Sequence, residues 1–110
     1  KKILITGAKG FIGSHVCKYF KQKGYTTYGI GHGALSIEES QAIGLDYWKT
    51  ADISINSILG FKQSFDVIIH CGGGGTVGFS VENPYQDFKK TVDGTLEVLE
   101  YIRDLISSQL

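Results

Sequence analysis

The chain has 110 residues, enough for one domain near the common size, and 42% of them are hydrophobic, which excludes an intrinsically disordered chain. Eleven basic and eleven acidic side chains cancel, leaving no basic excess for nucleic acid, and Lys18, Lys21 and Lys23 read as a solvated helix face. The apolar runs are too short for a membrane span, and the two distant cysteines, Cys17 and Cys71, make neither a disulfide framework nor a metal-ligand spacing, which points to a reducing, cytoplasmic setting.

Ile3-Leu4-Ile5 is a continuous apolar run of the kind a parallel strand buried on both faces requires. A glycine loop follows at once, and then Ile12, Val16, Tyr19 and Phe20 recur at helical spacing up to Gly24, a helix stop. Tyr25 to Ile30 is rich in strand formers and closes a βαβ unit. Ser36 with Glu39 forms a capping-box pattern for a short helix over Ile37 to Ile43. Leu45 to Trp48 reads as a third strand, Ser54 caps a helix from Ile55 to about Phe61, and Asp66 to His70 reads as a buried fourth strand. The long glycine-rich loop from Cys71 to Glu82 is read as functional. Asn83-Pro84 starts a long helix. Phe88, Val92, Leu96, Leu99, Arg103 and Ile106 trace one side of it, and Val98, Ile102 and Leu105 widen the apolar surface, so two buried faces are expected, one of them on the sheet.

Strands alternating with helices predict an α/β fold: a Rossmann-like parallel sheet of four strands in the order 3-2-1-4 with flanking helices. The doubly wound fold normally has six or more strands, so residues 1–110 are read as the N-terminal part of an NAD(P)-binding domain, truncated from a larger one. The segment Thr6-Gly7-Ala8-Lys9-Gly10-Phe11-Ile12-Gly13 stands between the first strand and the first helix, the context a dinucleotide motif needs. Gly7 permits the tight turn, Gly10 lets the backbone approach a pyrophosphate, and Gly13 lets helix and strand pack. The N–H groups of Phe11 and Ile12 would point at the phosphates, aided by the helix dipole.

This motif resembles that of the extended short-chain dehydrogenases/reductases, the nucleotide-sugar epimerase/dehydratase family. Three later segments match in order: Asp52-Ile53 after the third strand, His70-Cys71-Gly72-Gly73 after the fourth, and Asn83-Pro84-Tyr85 through Gly94-Thr95-Leu96 on the last helix. The resemblance implies that Asp52 binds the adenine amino group and that Cys71, Gly72 and Gly73 line the cofactor, which is NAD or NADP. It implies a nucleotide-sugar substrate for the intact protein, and a homodimer through helix 85–106. The chain departs from the family at four places. No acid ends the second strand, which runs through Gly31, His32 and Gly33; His32 or Lys9 could sit near a 2′-phosphate, so both cofactors stay open. Thr91 stands where the family has Asn, and glycine replaces alanine at 72 and 73.

The fourth departure is an absence. The family catalyses with a Ser/Thr and a Tyr-x-x-x-Lys pair beyond a fifth strand, whereas Tyr19 with Lys23, which has that spacing, lies inside the first helix. No catalytic residue is therefore assigned, and the fragment alone is expected to be inactive. The alternatives are a non-catalytic NAD(P)-binding or sensing module, and a self-associating structural domain. Cys71 is read as packing against the cofactor, His70 as structural, His15 as no metal ligand, and Asp87, Asp93 and Glu97 as solvated.

Overall fold

The computed structural model describes residues 1–72 and 82–109. Strand β1 (Lys2–Thr6) is one of the two inner strands of a four-stranded parallel sheet in the order β3-β2-β1-β4, and Ile3, Leu4 and Ile5 are all fully buried. Their side chains alternate. Leu4 joins a core with Tyr28, Ile30, Ile58, Phe65, Val98 and Tyr101 on one face, while Ile3 and Ile5 join Ala8, Cys17 and Leu45 on the other. Helices thus cover both faces, which is the Rossmann-like arrangement expected from the apolar, non-alternating strand.

The remaining elements follow in chain order: α1 (Phe11–Gln22), β2 (Thr26–Gly31), α2 (Ile37–Ile43), β3 (Tyr47–Thr50), α3 (Ile55–Leu59), β4 (Val67–His70) and α4 (Pro84–Gln109). The capping box of α2 forms, with Ser36 Oγ accepting from the Glu39 N–H and Glu39 reaching back to the Ser36 N–H. Gly44 ends that helix in a left-handed conformation, φ 79°. Ser54 caps α3 through a similar exchange with Ser57. The Asn83 carbonyl accepts the first helical bond of α4, from the Asp87 N–H.

One expectation is corrected. The third strand starts at Tyr47, two residues later than predicted. Leu45 is taken up by the core under Gly29, its N–H turns back to Ser40 O at 2.8 Å, and the Asp46 N–H goes to Thr27 O at 3.1 Å. The parallel register with β2 begins at Tyr47, opposite Tyr28, and the two rings stack at 4.7 Å. Helix α4 turns one of its two expected apolar faces to the sheet. The sheet-facing stripe is Gly94, Val98, Tyr101 and Ile102, whereas Phe88, Leu96, Leu99 and Ile106 stand more than half exposed. The sequence left open which stripe meets the sheet, and it is the one that carries Val98, Tyr101 and Ile102.

A polar junction fixes the start of β2. Asp46 Oδ1 meets Lys21 Nζ of α1 at 2.6 Å, and its Oδ2 accepts from the Thr27 N–H at 2.9 Å. Buried Thr27 donates its hydroxyl to Gly44 O at 2.6 Å and accepts from the Asp46 N–H at 3.0 Å. Burial pushes the Asp46 carboxyl up, but Lys21 and Thr27 outweigh it and hold the group below the usual Asp value.

Candidate functional site

The parallel register brings the carboxyl ends of the strands to one edge, with Thr6 opposite both Ile30 of β2 and His70 of β4. There a cleft of about 880 Å³ opens, lined by Gly7, Lys9, Gly10, Gly31, His32, Asp52, Ile53, Cys71, Gly72, Lys90, Asp93 and Gly94. Residues from five separate segments converge, at the place where the order of winding reverses between β1 and β4.

The three motif glycines do different work. Gly7 turns the chain at φ 67°, and a Cβ there would lie 2.8 Å from the Cys71 carbonyl carbon and the Gly72 nitrogen, because the chain leaving β4 crosses directly over it. A Cβ on Gly13 would overlap the Gly7 carbonyl oxygen and lie 2.9 Å from Ala8 Cα. Gly10 is different: its φ is −74°, and a Cβ would meet only Gly7 O, at 3.3 Å. The protein's own packing demands glycine at 7 and 13 but scarcely at 10, where the open side is the cleft. As N-cap of α1, Gly10 offers no side-chain cap, and no acid stands in the first turn. The positive end of α1 is left for an anion.

A directed chain of hydrogen bonds underlies the β4 side. The Gly72 N–H donates to Thr6 Oγ1 at 3.0 Å, and Thr6 Oγ1 meets His70 Nδ1 at 2.6 Å. On the other side of the ring His70 Nε2 meets Thr95 Oγ1 at 3.1 Å, and that hydroxyl donates to Thr91 O at 3.0 Å. Since Thr95 spends its proton on Thr91 O, Nε2 must carry the imidazole proton and Nδ1 must accept from Thr6. Burial holds the His70 pKa below 6.5, in keeping with a neutral ring. His70 thereby ties β1, the turn after β4 and α4 into one frame.

The cysteines are unsuited to nucleophilic work. Burial pushes the Cys17 thiol up to about 12 and raises that of Cys71, so both stay protonated at neutral pH. Cys71 faces the cleft and Cys17 lies fully buried under α1. His15 bonds through Nδ1 to Phe11 O at 2.8 Å and packs on the Phe11 ring. Among the described residues, no group of three or more His, Cys, Asp or Glu is placed to hold a metal ion.

Of the residues singled out from sequence, Gly7, Lys9, Gly10, Gly31, His32, Asp52, Ile53, Cys71 and Gly72 meet at the cleft. Phe11, Ile12 and Gly13 form the adjoining first turn of α1 without lining it, Thr91 lies one residue from its wall, and Gly73 falls outside the described residues. Sequence reasoning missed Lys90, Asp93 and Gly94, which α4 brings to the wall. The available signal was spacing: 90 and 94 stand one turn apart on the helix. Asp93, expected to be solvated, pairs with Lys89 at 2.6 Å beside the cleft, and Glu97, expected likewise, accepts the Ile55 N–H at 3.1 Å.

Residues 3–109 match the family described as the NAD dependent epimerase/dehydratase family. The chain is 29% identical to UDP-glucose 4-epimerase of Mus musculus, over 94% of this chain and 34% of that protein. Among solved structures it is similar to UDP-glucose 4-epimerase from Brucella ovis in complex with NAD, at 26% identity and a TM-score of 0.74, covering 94% of this chain and 32% of that one. The UDP-glucose-4-epimerase from Stenotrophomonas maltophila shares the fold with a TM-score of 0.79 at 24% identity, over 94% of this chain and 33% of that one. The chain therefore spans about a third of the length of the relatives it matches.

Proposed function

The chain belongs to the NAD-dependent epimerase/dehydratase family, and on that footing we propose that it is the dinucleotide-binding N-terminal part of a nucleotide-sugar epimerase, dehydratase or reductase. One observation carries the reading: the glycine loop, the end of β2, the Asp52-Ile53 turn and the turn after β4 meet around one cleft at the carboxyl ends of β1 and β4. Its residues fit a dinucleotide. Phe11 and Ile12 offer first-turn N–H groups to a pyrophosphate, Gly10 leaves room for it, and Asp52 stands where a carboxylate can accept from an adenine amino group. Cys71 and Gly72 form the floor on the β4 side, held by Thr6. A bound nicotinamide supplies hydride transfer. Two pairs have the family's Tyr-x-x-x-Lys spacing, and both precede any fifth strand: Tyr85 and Lys89 lie at the start of α4, where Lys89 pairs with Asp93 at 2.6 Å. Tyr19 and Lys23 pair on the outer surface of α1, with Nζ 5.5 Å from the ring centroid.

Purified chain is expected to bind a nicotinamide dinucleotide, read as a change in Trp48 fluorescence, and to show no turnover of UDP-sugars. Trp48 is well placed as a reporter, since its ring abuts Gly31 at the cleft. Absence of any binding would remove the reading, and turnover would show that a proton-transferring group lies within this chain.

The exposed stripe of α4 supports a homodimer. Phe88, Leu96, Leu99 and Ile106 are between 53% and 67% exposed and recur along one side of the helix, a surface that a second copy would cover. Sedimentation is expected to give a dimer that Leu99→Lys weakens. A monomer at high protein concentration would rule it out.

A further inference from the structure

We propose that the cleft prefers the dinucleotide carrying a phosphate on the 2′-oxygen of its adenosine ribose, with Lys9 and His32 as the residues that select it. The proposal rests on the dinucleotide reading above and adds one substituent to it. In dinucleotide folds of this topology the residue ending the second strand faces the adenosine ribose. A carboxylate there accepts from the 2′-hydroxyl and repels a phosphate, while a cation nearby does the reverse.

Here β2 runs out into Gly31-His32-Gly33-Ala34, with no acid. The space for one is also taken. A Cβ on Gly31 would lie 3.0 Å from the Trp48 ring, so the indole fills the direction in which an acidic side chain would project. That ring is fixed in place: its Nε1–H donates to Thr50 Oγ1 at 2.9 Å, and the Thr50 hydroxyl donates to Gly33 O at 2.9 Å.

Two side chains that can donate from nitrogen, Lys9 and His32, stand around the same corner. Lys9 crosses from the glycine loop to the β2 turn, where its Nζ donates to Ala34 O at 3.0 Å and sits 2.8 Å from where a Cβ on Gly33 would be. One bond to a carbonyl leaves two ammonium protons for another acceptor, and among the described residues Lys9 makes no ion pair. His32 lines the cleft beside it, with Nε2 3.4 Å from Asp52 Oδ1. Two carboxylates oppose the phosphate. Asp52 is directed at His32, and Glu39 accepts the Ser36 N–H at 3.2 Å in the capping box. Neither neutralises Lys9 at contact distance, and an acceptor bridging Lys9 and His32 would gain charge-assisted bonds from both.

The test titrates the 110-residue chain with NADP and NAD, and with 2′,5′-ADP against its equally charged isomer 3′,5′-ADP, reading Trp48 fluorescence. NADP is expected to bind about tenfold or more tighter than NAD, the scale of one charge-assisted bond. The 2′,5′ isomer should outbind the 3′,5′ isomer, and Lys9→Gln should bring the NADP-to-NAD ratio towards one. Lys9 is exposed, so the variant keeps the fold, checked by an unchanged thermal midpoint. NAD binding as tightly as NADP would overturn the proposal while leaving the dinucleotide site standing. So would a ratio that survives Lys9→Gln combined with His32→Asn. Failure of both dinucleotides to bind would instead defeat the site itself.

Discussion

Gly10→Ala leaves the chain folded and lowers its dinucleotide affinity at least tenfold, while Gly13→Ala removes much of its stability: this contrast is the first expected result. At Gly10 the backbone already has an L-residue conformation, and the added methyl meets only the Gly7 oxygen, at 3.3 Å. The thermal midpoint should therefore move by no more than the equivalent of about 1 kcal/mol in either direction. The same methyl projects into the cleft at the mouth of the α1 first turn, where a pyrophosphate must approach the backbone, so the affinity loss should be about tenfold or more. At Gly13 the methyl would overlap the Gly7 oxygen, and Gly7 cannot retreat because the chain leaving β4 lies against its other side. Overpacking of that kind costs about 3 kcal/mol. In a domain of this size it lowers the midpoint by roughly 12–24 °C. Calorimetry and isothermal titration on the two variants read both quantities. Equal loss of stability in both would show that the loop's own packing, rather than a ligand, dictates Gly10.

Thr6→Val should be the more damaging of two small changes at the end of β1, and Thr6→Ser should be nearly silent. The valine fits the fully buried site but strips two groups of their partner: the Gly72 N–H and His70 Nδ1. Leaving such groups unpaired costs about 2 kcal/mol or more, and serine restores both bonds. Chemical denaturation at neutral pH gives the difference directly. If valine and serine behave alike, the hydroxyl plays no part in holding the turn. The same chain sets a pH dependence. Because burial holds His70 below its unfolded value of 6.5, the unfolded chain takes up the proton first. Its contribution is complete above about pH 6.5 and is lost as the pH falls through the lower folded value. A ring protonated at Nδ1 cannot accept from Thr6. His70→Asn should flatten the decline in stability as the pH falls below about 6.5, and an unaltered decline would place its origin elsewhere.

What the sequence determined by itself was everything that depends on local period and local backbone geometry. The apolar run at 3–5 needs two buried faces, the serines at 36 and 54 cap helices through atoms three residues away, and the βαβ spacing leads to a parallel sheet in the order found. The glycine loop belongs to the same class, since φ at Gly7 and the entry of α1 are set within a few residues. Tertiary structure decided what depends on neighbours distant in the chain. The sequence left open which stripe of α4 meets the sheet; it is the one that carries Val98, Tyr101 and Ile102, and this brought Lys90 and Asp93 to the cleft. The chain from Gly72 through Thr6 and His70 to Thr95 joins residues 25 to 66 positions apart. The absence of an acid after β2 was legible at once, but its physical counterpart was not. Only packing shows the Trp48 ring in that space, because a side chain's volume is filled by whatever the fold brings beside it, at no fixed distance in sequence.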